Sequence, residues 1–281
     1  MFQYIDTLKE IFIGGERYNY ILQGLTFSVG VTFFSAVIGI ILGVLFALMR
    51  ISKFSLTKSI VSMYKKLSKI PILSIVVMLV LMRLIFLYKF FFLGVFIVIV
   101  LFVIFEKVFK GNPLEYFAIL YTDIIRGTPA VVQLMILANV IFAGFRDMPV
   151  FLIASLSFGI NSGAYVSEII RAGIEGLDKG QMEAARALGM PYGTAMKEVI
   201  IPQAIKKILP ALVSEFITLL KETSIVGFIG GVDLLRSANI ITSQTYRGVE
   251  PLLAVGIIYL VMTGLFTKFM RKVEKGMKVS D

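Results

Sequence analysis

Gln181-Met182-Glu183-Ala184-Ala185-Arg186-Ala187-Leu188-Gly189-Met190-Pro191, with its continuation to Pro202, is a polar island between long apolar runs. Its local chemistry is that of a short capped helix. Asp178 stands where a side chain caps the first turn, with Gln181 three places on as the reciprocal partner, and Gly189 stands where a helix closes in a left-handed turn. Pro191 suits the first turn of a second helix. Between the caps, Glu183, Ala184, Ala185 and Leu188 build a compact helix whose small side chains let another protein surface approach, with Leu188 as an apolar anchor. An amphipathic helix that merely caps a bundle carries the same local signals, so the flanking segments decide.

Those flanks describe a membrane protein. Of 281 residues 58% are apolar and 16% charged, with mean hydropathy +0.90, which lies outside the range of soluble domains. The net charge of +10 does not point to nucleic acid, because the basic residues fall mainly in the connections between apolar runs. With no Cys and no His, disulfides, thiolate metal sites, cysteine nucleophiles and the commonest general base are excluded. No catalytic and no metal-ligating residue is assigned.

In chain order, residues 1–20 begin with a short interfacial helix, since Phe2, Ile5, Leu8 and Phe12 recur at helical spacing among Asp6, Lys9 and Glu10. Ile21 to Met49 is a first span, and its Gly39-x-x-x-Gly43 offers a close helix–helix contact. The apolar stretch 70–106 is too long for one span of about 20 residues, and Arg83 and Lys89 interrupt it, so it reads as an inserted hairpin, the alternative being one long tilted helix plus a surface segment. Tyr116 to Ile125 forms an elbow helix before Arg126-Gly127-Thr128-Pro129 breaks it, and Ala130 to Phe145, containing Gln133, spans back. Pro149 to Ile170 returns with Asn161 about 18 Å into the span. Asn161 either makes an interhelical hydrogen bond or touches substrate. Glu168 and Arg171 form a local ion pair or snorkel.

After the island (178–207), Ile208 to Gly231 carries Glu215, Lys221 and Glu222, with the two glutamates on one face. Either they pair with a neighbouring helix or they line a wet path. Val232 to Glu250 is polar with balanced charge and reads as an outer-face loop or short helices, and Pro251 to Lys268 is the last span. About 20 of the 28 Lys and Arg then fall on the inner connections, the island and the tail, which sets the amino terminus outside and the carboxyl terminus in the cytosol. The expected architecture is an all-α polytopic helical bundle of about seven spans in a single domain, 1–281.

Glu183-Ala184-Ala185, three residues, Gly189, nine residues, then Val199-x-Ile201-Pro202 resembles the EAA loop of binding-protein-dependent ABC importer permeases, with Val and Ile replacing the usual Ile and Leu. Arg126-Gly127-Thr128-Pro129 before Gln133, and the run from Glu215 to Ser224, resemble the polar amino acid permeases of the histidine, glutamine and arginine type. That family has a five-span core, so the 70–106 hairpin is a departure from it. The resemblance implies a permease subunit in a bacterial-type cell (inner) membrane that moves polar amino acids inward by alternating access. It implies as partners a second permease subunit, identical or different, an extracytoplasmic solute-binding protein, membrane lipid, and ABC ATPase subunits docking on Glu183, Ala184, Ala185, Leu188 and Gly189. Gln133, Asn161, Glu215, Lys221 and Glu222 are then candidates for the substrate path. The chain lacks a phosphate loop with its lysine, since Gly227-Phe-Ile-Gly230-Gly231 has none, so ATP and Mg belong to the partner and this chain is no enzyme. An ion-coupled secondary transporter using Glu215, Lys221 and Glu222 as a relay is the alternative, but it leaves the capped island unexplained.

Overall fold

A computed structural model of the chain describes residues 2–51 and 112–278, apart from Arg146, together with Tyr88, Gly94, Val100 and Ile104. The inserted hairpin expected over 70–106 lies outside the described residues, apart from those four isolated positions. The chain divides into two compact units, one formed by Met1–Ala47 with Tyr121–Asp281 and the other by Leu48–Leu120.

Every described element is helical. The amphipathic start is α1, Phe2–Phe12, and a tight turn over Gly14–Glu16, with Gly15 at φ 63°, leads into α2, Tyr18–Ile51. Next come α3, Pro113–Arg126, and α4, Ala130–Ile136, which continues through one wide turn to Ile141. The long α5 covers Val150–Glu175 and is followed by α6, Lys179–Ala187, and α7, Tyr192–Ala195. A second wide turn, Met196–Ile200, passes into α8, Ile201–Glu222. Tight turns over Thr223–Ile229 precede α9, Leu234–Thr245, and α10, Val249–Lys278.

Among these, α2, α5 and α10 are long and apolar enough to cross a membrane, and α3 with α4 qualifies as a fourth, bent by 105° at the break. That break is the Gly127-Thr128-Pro129 step, where Pro129 has no amide to continue the ladder. The outward stretch expected from Ala130 to Phe145 is therefore only half of a bent pair. The span expected over Ile208 to Gly231 also differs in form: α8 starts earlier, carries five ionisable residues and stops at Glu222, and the rest is tight turn closed by Gly230 at φ 86°.

The seam between α2 and α5 inverts the pattern of a soluble protein. Along α2 the buried positions include Gly24, Ser28, Thr32, Ser35, Gly39 and Gly43, whereas Phe33, Ile41 and Leu45 are more than half exposed. A helix meeting lipid gains nothing by hiding its leucines, so it turns its small residues inward and packs by fit. A Cβ on Gly39 would stand 2.9 Å from the Ser162 side chain, and one on Gly43 only 2.4 Å from Val166. The ridge is mutual, because a Cβ on Gly159 of α5 would meet Ile38 at 2.6 Å. Ser35 Oγ adds a cross-helix bond, donating to the Ser155 carbonyl at 3.1 Å.

Around this seam sits an apolar core of Val31, Leu134, Ala154, Phe158, Leu219 and Val226, so that α2, α4, α5 and α8 meet in one place. Phe151 stands edge-on to both Phe27 and Phe34, at 5.7 and 5.6 Å between ring centres. On its other side α8 packs along α10, where Phe216 and Phe266 stack at 4.3 Å.

The fit makes a direct demand on residue 43. Gly43→Leu overpacks the seam at a cost of about 1–3 kcal/mol and lowers the thermal midpoint in detergent. Gly256→Leu on α10, where an added Cβ meets nothing within 4 Å, leaves it nearly unchanged. Equal midpoints for the two variants would remove the seam from its place in the fold.

Candidate functional site

The island folds as its caps demand, with one exception. Asp178 Oδ1 accepts from the Gly180 amide at 2.9 Å and starts α6. Gln181 does not reciprocate: its Oε1 accepts instead from Gln203 Nε2 at 3.2 Å, which ties α6 to the first turn of α8. The far end is a left-handed closure on Gly189, φ 85°, with Gly189 N bonded to Arg186 O at 3.0 Å and Met190 N to Ala185 O at 3.1 Å. Arg186 Nη1 also donates to the Met190 carbonyl at 2.7 Å. Pro191 takes the capping position of α7, one residue before the first turn expected for it.

These bonds decide which side chains are offered outward. Glu183, Ala184 and Gly189 are exposed, and Leu188 is 82% exposed, an unusual position for an isolated leucine on a polar helix. Ala185, by contrast, is buried and seats the helix. The platform is wired to the bundle at both ends. Only Gly176, Leu177 and Asp178 separate it from α5, and Lys207 Nζ caps that helix end by donating to Gly176 O at 3.0 Å. On the other side, Pro202 has no amide to bond one turn back, so the helix widens and Ile201 N reaches five residues back to Met196 O. Through that wide turn α7 and α8 run on as one helical path.

Deep in the bundle, three of the five candidate path residues gather around the middle of α5. Asn161, 4% exposed, donates through Nδ2 to Gln133 Oε1 at 2.8 Å. Gln133 Nε2 in turn donates to the Ile125 carbonyl at 2.6 Å and to Thr128 Oγ1 at 2.6 Å, so one glutamine side chain closes the backbone opened at the α3–α4 break. The adjoining Ser162 Oγ donates to Glu215 Oε1 at 2.9 Å, linking α5 to α8. Of the two readings open for Asn161, the interhelical hydrogen bond is thus formed. Lys221 and Glu222 lie at the end of α8, where Lys221 is exposed; neither side chain makes a hydrogen bond or ion pair among the described residues, although Glu222 lies near enough to Lys221 and to Glu215 for their charges to act on one another.

Two further groups emerge only in the fold. At the island end of α5, Arg171 pairs with both Glu168 and Glu175, as local spacing suggests, but Arg126 from the break also approaches Glu168 at 4.0 Å and lies over the Tyr165 ring at 5.5 Å. Arg126, Tyr165 and Glu168, together with Lys207, line a cavity of about 360 Å³. Past the far end of α8, Asp233 is fully buried; its carboxylate caps α9 through the Arg236 amide at 2.8 Å and also accepts from Gly227 N at 2.6 Å. Burial pushes its carboxyl above the usual carboxylate range, against these amides that favour the charge. An N-cap signal, Asp233 before an apolar turn, was available for this residue; nothing in the sequence pairs Arg126 with Glu168.

With this geometry in hand, known proteins can be set beside it. The family described as "Binding-protein-dependent transport system inner membrane component" matches residues 103–279. The putative glutamine transport system permease protein GlnP of Rickettsia bellii is 44% identical over 176 residues, which is 62% of this chain and 80% of that protein. The arginine transport system permease protein ArtQ of Bacillus subtilis is 45% identical over 180 residues, with the same shares. Among solved structures, an amino acid ABC transporter crystallised with histidines superposes with TM-score 0.68 at 36% identity, over 94% of this chain and 97% of that one. The MetNI methionine transporter, at 13% identity and TM-score 0.61, shares the fold.

The Gln133–Asn161 bond carries its own consequence. Asn161→Leu leaves the Gln133 carbonyl oxygen without its donor, at about 1–3 kcal/mol, and weakens the closure of the α3–α4 break. A fall in the detergent thermal midpoint, with faster proteolysis near Gly127, is the expected readout; an unchanged midpoint would show that water replaces the bond without loss.

Proposed function

The chain belongs to the family of binding-protein-dependent transport system inner membrane components, and from that premise we infer that it is the permease subunit of an ABC importer for polar amino acids. The relatives named for glutamine and arginine support the substrate class. The observation that carries the mechanism is the island: a capped platform with Leu188 and Glu183 turned outward, joined by three residues to α5 and by a continuous helical path to α8. An ion-coupled relay through Glu215, Lys221 and Glu222 is not favoured, because it gives such a platform no work to do.

In this reading ATPase subunits dock on Glu183, Ala184, Leu188 and Gly189, with Ala185 holding the helix in place beneath them. ATP and Mg are bound and hydrolysed there, on the partner. Closure of the ATPase pair pushes the platform, which turns α5 and α8 together because the Ser162–Glu215 bond and the apolar core link them. Two such permease chains, identical or different, enclose the path, and a solute-binding protein delivers the amino acid at the outer face. Gln133, Asn161 and Glu215 are the path candidates that lie together; Lys221 and Glu222 belong to the outer end of α8.

The topology belongs to the same proposal. A single permease domain would cross an inner membrane about seven times, a five-span core plus the 70–106 insertion, with α1 on the outer surface and the carboxyl terminus in the cytosol beside the island.

Gly189 tests the coupling role. Its φ of 85° is costly for a β-branched residue, so Gly189→Val distorts the end of the platform without touching the bundle. In proteoliposomes holding the full transporter, ATP hydrolysis should persist while uptake per ATP falls about tenfold or more. Fully coupled transport by a well-folded Gly189→Val complex would refute the role.

A further inference from the structure

Between α8 and α10 lies an open groove of about 690 Å³ that the transport reading does not use. One wall is Ile217 of α8; the other is the length of α10 from Leu260 to Lys272. Thr263, Gly264 and Thr267 keep that second wall low. The two threonine hydroxyls are spent on their own helix, Thr263 Oγ1 donating to Tyr259 O at 2.8 Å and Thr267 Oγ1 to Thr263 O at 2.7 Å, so the groove makes little polar demand along its length. The Phe216–Phe266 stack beside it holds the two helices at their spacing.

At one end the chemistry changes. Lys268, Arg271 and Lys272 line the same groove, and their spacing of three and four residues puts all three on one helical face. All three are exposed, and none has an acidic partner among the described residues. From Leu260 the triad begins at about 12 Å, at Lys268, and ends at about 18 Å, at Lys272, at 1.5 Å per residue, which brackets the roughly 15 Å that one leaflet contributes to a hydrocarbon core of about 30 Å.

A trench with little polar demand that ends in three cations on one helical face matches one molecule in two parts. We propose that this groove binds a single anionic phospholipid, its acyl chain lying between α8 and α10 and its phosphate held by Lys268, Arg271 and Lys272. Cations that merely snorkel from a span end need no trench behind them; here the trench and the triad are continuous. Three cations near an anionic headgroup correspond to a preference on the order of a hundredfold over a zwitterionic one. The lipid then braces α8, the helix that begins at the island.

The permease purified in mild detergent with its co-purifying subunits, and mixed with phosphatidylglycerol or phosphatidylcholine of the same chain length, tests this by native mass spectrometry. One phosphatidylglycerol per permease chain should be retained where phosphatidylcholine is lost. The combined variant Lys268→Gln, Arg271→Gln, Lys272→Gln should lower that retention at least tenfold, and Lys9→Gln should not change it. Gly264→Leu, a position where a side chain meets nothing within 4 Å, fills the trench while sparing the triad and should lower retention similarly. Equal retention of both lipids, or retention unchanged in the combined variant or in Gly264→Leu, would overturn the proposal, as would full displacement of the lipid by millimolar inorganic phosphate. If the combined variant does not fold, the two-lipid comparison and Gly264→Leu still decide. Because the chain has no cysteine, Gly264→Cys reports on a protein occupant: a disulfide between two permease chains would place a second copy in the groove and refute the lipid.

Discussion

Helices in hydrocarbon have no solvent to flee from, so what joins them is closeness of fit, and here that fit is the glycine and serine seam between α2 and α5. Gly39 and Gly43 leave no room for even a methyl group against Ser162 and Val166, and Gly159 returns the approach from the other side. With the backbones this near, dispersion and the Ser35 to Ser155 bond accumulate over several turns. The position and rotation of α5 follow from that seam. Every polar contact in the bundle's middle then depends on which way α5 is turned.

Once α5 is set, its neighbours at 161 and 162 face opposite duties. Asn161 turns toward α4 and, through Gln133, satisfies backbone carbonyls that the Gly127–Pro129 break leaves open; Ser162 turns toward α8 and meets Glu215. Each of these groups would be costly alone in a lipid-filled interior. Joined, they make α4, α5 and α8 answer to one another. The same helices run on to the island, one through a three-residue link and the other through the wide turn before Pro202, so any displacement of the platform would be shared by the two helices that carry the polar middle.

Some of this was legible residue by residue. Asp178, Gly189 and Pro191 announced a capped helix because caps are local: an acceptor near free amides, and a backbone angle that only glycine takes easily, need no tertiary information. The break at Arg126 to Pro129 was legible for the same reason. Gln181 misled, because a side chain with two possible partners chooses by proximity, and Gln203 is brought near only when α8 folds back beside α6. Arg126 with Glu168, and Gly227 with Asp233, were likewise out of reach. The first joins residues about forty positions apart; the second rests on turns that only the packed chain imposes.

By itself, then, the amino-acid sequence determined that this is an all-helical membrane protein with a polar, capped platform set between apolar helices, since composition, charge placement and capping are additive and short-ranged. It also carried the family resemblance in which the platform is recognised. Only the tertiary structure decided which face of each residue is used: that Ala185 is the seat while Leu188 stands out, that Asn161 bonds to Gln133 rather than lying open, and that α8 and α10 leave a trench ending in three cations. Those outcomes depend on how helices rotate against one another. That rotation is chosen by the close fit of small side chains across a seam, a property of pairs of surfaces that no single stretch of sequence contains.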